Sequence, residues 1–503
     1  MMNGKTVNDF NLIDKPWIPA AGIGLIDLQR IFRDPKLMSL GGNTVQKVAL
    51  LKLLLAICQA ACTPENDEDW EKLGMDGIAR EASIYLEKKH DCFELYGAKP
   101  FLQIPAIEKA SVQSYGAVMP DIATGNTTIL TQLQQEQTLT DADKAVLVVQ
   151  LMGFALGGKK ADNSIILSPN YQGKYNKKGK PSTGKPGASL GFKGYLHNFL
   201  VGRTLQETLY LNILTKENIE ALKMFPQGLG PIPWETPPLG EDDEIARALK
   251  NSLMGRLVPF SYFVLLSQDG IHYSEGIAHP NHGEYVTDPS VAINASGKTV
   301  KVIWTDTSKR PWRHLTSLLG FLKTGTDNDF FQCPHLVFGI NRGKEKIPTI
   351  GVWSGGLQLS NKAGEQYVSG TDDYVESVFF LRAEAFDEGW FYSNLKKEMG
   401  ILDDLSKILF RGVFRYYKEF KEDGDNFAKK ASELFWELCE RKAQDLLDAC
   451  TKEGGEATEQ LRPYFLQCVR EVYETYCPRE TARQIEAWAK FYPYMNKSGK
   501  EKA

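Results

Sequence analysis

The stretch that decides the fold is Ala431-Ser-Glu-Leu-Phe-Trp-Glu-Leu-Cys-Glu-Arg-Lys-Ala-Gln-Asp-Leu-Leu-Asp-Ala-Cys450. Its apolar residues recur at helical spacing with charged residues between them, the pattern of an amphipathic helix. The same pattern runs from about residue 383 to 492, with breaks at Asp423-Gly424-Asp425, Gly454-Gly455 and Cys477-Pro478. We expect four helices of roughly 15–25 residues here, packed as an antiparallel four-helix bundle.

The sequence before this region alternates short apolar runs with turns. Two apolar helices are predicted at about 44–62 and 141–157, with Thr140 as the N-cap of the second. The strand candidates are Phe10–Asp14, Leu25–Leu28, Val258–Leu266, Val300–Trp304 and Tyr374–Leu381. The prediction is an α+β fold, with a large mixed N-terminal globular domain at 1–375 and the C-terminal antiparallel four-helix bundle at 376–503.

Composition is that of an ordinary globular protein. The 503 residues are 42% hydrophobic and 24% charged, with a net charge of −4. The most apolar window, 45–62, is interrupted by Lys47 and Lys52, so we expect a buried core helix and no membrane contact. The N-terminus lacks an apolar signal stretch, and the eight cysteines include no C-x-x-C pair, which favours the reducing cytoplasm.

A basic, glycine-rich segment lies at residues 159–194. It carries eight lysines against one acid, Asp162, and therefore holds a charge of +7 within a chain of net charge −4. With few apolar groups and many chain breakers, it is predicted to be a long, mobile surface loop. Lysines that neutralise phosphates and glycines that allow close backbone approach indicate nucleic-acid contact. A solvated charged linker is the alternative.

Two other motifs suggest chemistry. Gly179-Lys-Pro-Ser-Thr-Gly184-Lys-Pro186 resembles a nucleotide P-loop, but Pro186 stands where a hydroxyl must bind magnesium, so nucleotide binding is disfavoured. His279 and His282, with Asp288, form a conceivable site for a metal-dependent hydrolase, although surface histidines are the more common explanation.

The stretch Gly351–Gly364 predicts a strand leading into a hairpin with polar side chains at its tip.

Several short blocks, in this order and spacing, resemble CasA, the large subunit of the type I-E CRISPR surveillance complex Cascade. The blocks are Phe10–Pro19, Phe93–Gly97, Pro100–Gln103, Pro186–Gly194 and Arg203–Leu214. The resemblance implies a non-enzymatic subunit without cofactors. Such a subunit reads the protospacer-adjacent motif in double-stranded target DNA, aids strand separation and R-loop formation, and recruits a helicase-nuclease. Its other partners are the remaining Cascade subunits and the 5′ end of the CRISPR RNA.

The resemblance also implies the nucleic-acid-binding residues. They are Gly187, Ala188, Ser189, Leu190, Gly191 and Lys193 in a groove-facing glycine loop; Ser360, Asn361 and Lys362 in a strand-splitting wedge; and Gly125, Asn126 and Thr127 against the guide RNA. The lysine-rich part, 159–185, then becomes a disordered, sequence-blind tether. Some relatives carry a cysteine cluster for zinc, but this chain has no cysteine between 92 and 333, so no metal is predicted. A pure scaffold protein is a further alternative.

Overall fold

The computed structural model of the chain describes residues 9–120, 138–158, 160–182, 184–280, 288–322, 331–362, 365–368, 373–387 and 389–494. Within these residues the chain forms two compact units. The first draws on Met1–Thr305, Cys333–Gly343 and Trp353–Glu376, and the second on Asp306–Gln332, Lys344–Val352 and Ser377–Ala503. The second unit therefore also includes 306–332 and 344–352, which the predicted boundary at 375/376 assigned to the first.

The first unit is built around the apolar helix Thr44–Ala61. This helix begins at an Asn43–Gln46 capping box, and its length and apolar composition alone suffice for a membrane span. Most of its residues are buried inside the fold, however, as predicted for a core helix. The other helices of this unit are Leu28–Arg33, Asp67–Lys88, Tyr115–Val118, Asp141–Gly153, Leu205–Asn212, Lys216–Ala221, Glu244–Lys250, Met254–Leu257 and Pro334–Gly343, with 3-10 turns at His90–Phe93 and Pro105–Ile107.

The strands form small sheets. In chain order they are β1 (Ile18–Ala20), β2 (Gly24–Ile26), β3 (Val112–Gln113), β4 (His197–Val201), β5 (Tyr262–Leu266), β6 (Ile271–Glu275), β7 (Ile293–Asn294), β8 (Lys301–Val302), β9 (Thr349–Leu357), β10 (Ser360–Lys362), β11 (Glu365–Tyr367) and β12 (Tyr374–Arg382). The sheet orders are β1-β2, β3-β6-β5, β7-β8, β12-β9-β4 and β10-β11. The division between the units passes through β9 and β12.

Local chemistry explains where the predicted elements begin and end. Thr140 caps the helix Asp141–Gly153 by accepting the N–H of Asp143, as predicted, but the helix ends at Gly153 and not at 157. The predicted strand Phe10–Asp14 is wrong. The Asn11 side chain accepts the N–H of Ile13 at 2.9 Å and turns the chain instead.

The second unit contains the predicted C-terminal helical region. The long helix Trp390–Glu419 turns within a short connection into Gly424–Glu440, so the two run antiparallel. Trp436 is buried, donates to the Ser406 hydroxyl at 3.1 Å and lies beneath the Arg313 guanidinium. The remaining helices are Leu315–Leu318, Glu384–Asp387, Ala443–Cys450, Glu456–Glu459, Arg462–Tyr476 and Ala482–Phe491, with 3-10 turns at Pro311–His314 and Gly320–Leu322.

Candidate nucleic-acid interface

The glycine loop (residues 187–194) is fixed against the end of the helix Asp141–Gly153. The Gly187 N–H donates to the Ala155 carbonyl at 2.8 Å, and the Ser189 N–H donates to the Gly153 carbonyl at 2.9 Å. A Cβ atom on Gly187 would lie 2.4 Å from the Gly153 oxygen, so only glycine fits there. The first glycine is thus required by packing within the chain itself.

Much of the glycine loop faces inward. Ser189 and Leu190 are each 1% exposed, whereas Phe192 is 43% exposed and the Lys193 side chain lies on the surface. Gly187 and Gly191 are also buried, and Ala188 is partly exposed. The outward surface of the loop is therefore formed by Phe192 and Lys193, with a contribution from Ala188. A cation beside an exposed aromatic ring suits contact with a nucleic-acid backbone and base.

The structure brings the glycine loop into direct contact with the polar hairpin, here residues 357–367 with strands β10 and β11. The Leu359 N–H donates to the Lys193 carbonyl at 3.0 Å. Gly194 adopts a φ of +88°, and a Cβ on it would lie only 1.7 Å from the Leu357 carbonyl oxygen. The two segments, far apart in sequence, share one surface whose spacing depends on glycine at position 194.

Gln366, which sequence reasoning missed, joins the two segments. Its buried side chain donates to the carbonyls of Gly191 at 2.7 Å and Phe192 at 2.9 Å. Its side-chain oxygen accepts the backbone N–H of Gly157 at 2.8 Å, and the backbone N–H of Gln366 donates to the Gly157 carbonyl at 3.0 Å. These bonds fix β11 to the loop. No local sequence pattern distinguishes this glutamine from the other polar residues of the hairpin.

The predicted wedge residues lie on the first strand of that hairpin. The antiparallel register pairs Ser360 with Tyr367, Asn361 with Gln366 and Lys362 with Glu365. Ser360, Asn361 and Lys362 therefore lie on the strand that precedes residues 363–364, and these two are outside the described residues. The predicted guide-RNA contacts Gly125, Asn126 and Thr127 also lie outside them. The hairpin itself was predicted and is present.

Beneath the glycine loop lies a closed ring of buried polar contacts, here called the buried ring. Lys52 donates to the Ser189 hydroxyl at 2.7 Å and to the Asp288 carboxylate at 2.6 Å. The other Asp288 oxygen is 2.6 Å from the Ser290 hydroxyl, which is 2.8 Å from His197 Nδ1. His197 Nε2 closes the ring at 2.6 Å from the Ser189 carbonyl. The loop is thus tied to three separate parts of the first unit.

The charges of the buried ring are set by burial and by one ion pair. Burial lowers the pKa of His197 to about 4, so the imidazole is neutral and its Nε2–H donates to the Ser189 carbonyl. Burial also lowers the pKa of Lys52, against the opposing effect of Asp288. Burial alone would raise the pKa of Asp288, but Lys52 holds it well below its usual range. Asp288 is therefore a carboxylate at any ordinary pH.

The geometry disfavours the metal-dependent hydrolase. Both ring nitrogens of His279 are occupied, with Nδ1 2.6 Å from the Arg256 guanidinium and Nε2 2.6 Å from the Pro259 carbonyl. Asp288 belongs to the buried ring, and His282 lies outside the described residues. Among the residues that the structure describes, no group of three or more acidic, histidine or cysteine side chains is arranged to hold a metal ion.

The lysine-rich segment differs from its prediction. Lys174 is fully buried and forms an ion pair with Glu241, which is itself buried. The prediction that 159–185 is a disordered tether is therefore wrong for its described part. The acid that holds the segment in place lies far away in sequence, which is why composition alone suggested a chain unable to bury itself.

Near that ion pair lies a second buried acid, Glu275, at the end of β6. It is 2% exposed, and among the described residues neither of its carboxylate oxygens has a hydrogen-bond partner. Burial raises its pKa from 4.5 to about 7, although Lys185 and Lys174 act in the opposite direction. Between pH 4.5 and about 7, Glu275 is therefore protonated in the folded state and ionised in the unfolded state. The free energy of unfolding is highest below pH 4.5 in this respect, and it declines as pH rises toward 7.

We therefore expect Glu275→Gln to raise stability selectively at high pH. Glutamine is a neutral replacement for the protonated acid, so at pH 8 the free energy of unfolding rises by about 2 kcal/mol, with no gain at pH 4.5. Thermal unfolding across this range checks the result against Glu217→Gln, an exposed acid. A gain independent of pH would contradict the burial of an ionisable Glu275.

The fold defines a class that is known from solved structures. The chain matches CasA of Thermus thermophilus with a TM-score of 0.72 at 20% identity, covering 96% of this chain and 98% of that one. It matches Thermobifida fusca Cse1 with a TM-score of 0.72 at 19% identity, covering 96% and 97%. A chain of a CRISPR RNA-guided surveillance complex matches with a TM-score of 0.67 at 16% identity, covering 96% and 98%. At these identities the likeness shows the fold.

The family follows from the sequence. The model described as CRISPR-associated protein Cse1 matches residues 11–474, so the chain belongs to this family. The CRISPR-associated protein CasA/Cse1 of Thermus thermophilus is 27% identical over 346 residues, 62% of this chain and 61% of that protein. The chain thus covers less than two thirds of the full length of that relative. The resemblance to CasA drawn from the short blocks is confirmed.

Proposed function

We propose that this chain is the non-catalytic DNA-recognition subunit of a CRISPR RNA-guided surveillance complex acting in the cytoplasm. It reads the protospacer-adjacent motif in duplex DNA, aids strand separation and R-loop formation, and recruits the helicase-nuclease. Membership of the Cse1 family supports this role, as does the structural likeness to a chain of such a complex. The guide RNA then reads the target by base pairing, so this subunit needs only a short motif.

One observation carries the proposal: the glycine loop and the polar hairpin form a single surface. The Leu359–Lys193 backbone bond and the Gln366 side chain hold them together. In this arrangement Lys193 contacts a backbone phosphate, and Ser360–Lys362 lead the hairpin toward the separating base pairs. Reading from the minor groove discriminates weakly between bases, so several related motifs are accepted. Gly125–Thr127 meet the 5′ end of the CRISPR RNA.

The role is non-catalytic because cutting belongs to the recruited partner. The residues of the rival hydrolase support this view, since His279 has both nitrogens occupied and Asp288 is paired with Lys52. Catalysis by Asp288 would require the buried ring to open. The proposal assigns to Asp288 the task of holding the glycine loop in place.

The experiment is a mobility-shift titration of the reconstituted complex on duplexes with and without the motif, at several salt concentrations. We expect tighter binding to the motif duplex and a steep loss with salt, about 0.9 in log–log slope for each phosphate contacted. A pure scaffold predicts equal affinity for both duplexes when this subunit is present or omitted. That result would exclude motif recognition by this chain.

A further inference from the structure

The lysine-rich segment contains an ordered turn, here called the basic hairpin (residues 174–182). Tyr175 and Pro181 form an antiparallel bridge, and the Asn176 N–H donates to the Lys180 carbonyl at 2.8 Å. The Asn176 side chain accepts the N–H groups of Lys178 at 2.9 Å and Lys180 at 3.1 Å. The backbone of the turn is therefore bonded to itself, unlike that of a solvated linker.

The base of the basic hairpin is buried. Lys174 and Glu241 form an ion pair in which both side chains are inaccessible to solvent. The Ser182 N–H donates to the Lys174 carbonyl at 2.8 Å, and the Ser182 hydroxyl donates to the Gly173 carbonyl at 2.7 Å. Glu241 also accepts the Ser168 N–H at 2.9 Å. One buried lysine thus fixes both strands of the turn to the first unit.

The outer end of the basic hairpin is cationic. Lys177, Lys178 and Lys180 are exposed, Tyr175 is 39% exposed, and residues 174–182 contain no acid. Ammonium groups beside an accessible ring can hold phosphates and stack a base. Because the turn is already ordered, binding does not require the ordering entropy that a mobile tether would lose.

We infer that the basic hairpin is a second, sequence-blind contact site for the phosphodiester backbone of nucleic acid, held in position by the buried Lys174–Glu241 pair. The site adds affinity without adding motif preference, because ammonium groups on phosphates carry no sequence information. Glu241 is a positioning residue, since it is buried and reaches phosphate only through Lys174 and the turn. The duplex as partner rests on the proposed function; the phosphate chemistry rests on the hairpin.

The first test replaces the exposed lysines in the reconstituted complex with Lys177→Ser, Lys178→Ser and Lys180→Ser. We expect the log–log salt slope of duplex binding to fall by about 2–3, with the ratio of affinities for motif and motif-free duplexes unchanged. The matched control removes three lysines paired with acids close by in sequence, Lys72, Lys429 and Lys442. An equal change of slope in the control would overturn the inference.

The second test breaks the buried pair with Glu241→Gln. Removing an acid makes the chain more basic, so simple electrostatics predicts tighter DNA binding. We expect the opposite, a salt slope lowered as in the triple lysine variant, with faster hydrogen exchange at the Asn176 and Ser182 amides. Lys174→Met with Glu241→Gln removes the unpaired ammonium, keeps an acceptor for the Ser168 N–H, and restores both slope and protection.

The outcomes separate the two proposals. Binding by Glu241→Gln that is unchanged or tighter, while its hairpin amides exchange quickly, would overturn the positioning role. If the wild-type complex shows no motif preference at all, the proposed function fails. The slope comparison then still tests the basic hairpin, because that site does not read sequence.

Discussion

Asp288→Asn is expected to lower the free energy of unfolding of the first unit by about 3–5 kcal/mol. The amide keeps the shape of the carboxylate but leaves the Lys52 ammonium buried without an anion. Lys52 can escape only by losing its proton, which from an ordinary lysine pKa of about 10.4 costs about 4.6 kcal/mol at pH 7. Because that cost falls as pH rises, the deficit shrinks by about 1.4 kcal/mol per pH unit.

Denaturant unfolding measured from pH 7 to 9 checks this prediction. Asp269→Asn makes the same chemical change on an exposed side chain and is the matched control. Lys52→Met with Asp288→Leu removes both charges and is expected to recover most of the loss. A deficit in Asp288→Asn no larger than that of the control would mean that the ion pair does not hold the buried ring together.

Gly194→Ala is expected to separate the glycine loop from the polar hairpin. The new Cβ would lie 1.7 Å from the Leu357 carbonyl oxygen, and no side-chain rotation relieves a clash with backbone. Overpacking and the left-handed backbone together cost about 2–4 kcal/mol of stability. We expect the preference for the motif duplex to fall at least about tenfold, equivalent to ~1.4 kcal/mol of binding.

Gly228→Ala is the matched control for that substitution. Gly228 is also left-handed, with a φ of +59°, but nothing lies within 4 Å of its added Cβ. Gly228→Ala therefore lowers the free energy of unfolding only through the left-handed backbone, by about 1 kcal/mol. Mobility-shift titration and thermal unfolding of both variants make the comparison. Equal motif preference in the two would show that the contact between loop and hairpin is not needed for recognition.

The elements with strong local signals could be predicted from the sequence. The helix predicted at 44–62 is observed at Thr44–Ala61, and the strand predicted at Tyr374–Leu381 is observed at Tyr374–Arg382. The C-terminal helices follow from periodicity, although the first extends over Trp390–Glu419, longer than expected. A hairpin after Gly355-Gly356 was also predictable, because its turn residues and alternation lie within one short stretch.

The buried ring, and the hydrogen bonds by which Gln366 connects the loop to the hairpin, could not be predicted from the sequence. Lys52, Ser189 and His197 are far apart in sequence, and no local spacing relates them. One signal was present: Lys52 interrupts an otherwise apolar helix, and a buried lysine requires an anion. Asp288 follows two histidines closely in the sequence, and sequence alone cannot separate a metal ligand from a partner for lysine. Glu241 likewise holds the basic segment from a distance.

The central claim is that the shared surface of loop and hairpin recognises the motif, and one measurement tests it most directly. Lys193→Ala with Asn361→Ala, in the reconstituted complex, is titrated on duplexes with and without the motif, and strand opening is followed by a fluorescent base. Lys36→Ala with Asn251→Ala, both exposed and outside the two segments, is the control. We predict that the motif preference of the first variant falls at least about tenfold and that its strand opening is lost. Binding and unwinding like those of the wild type would contradict the account.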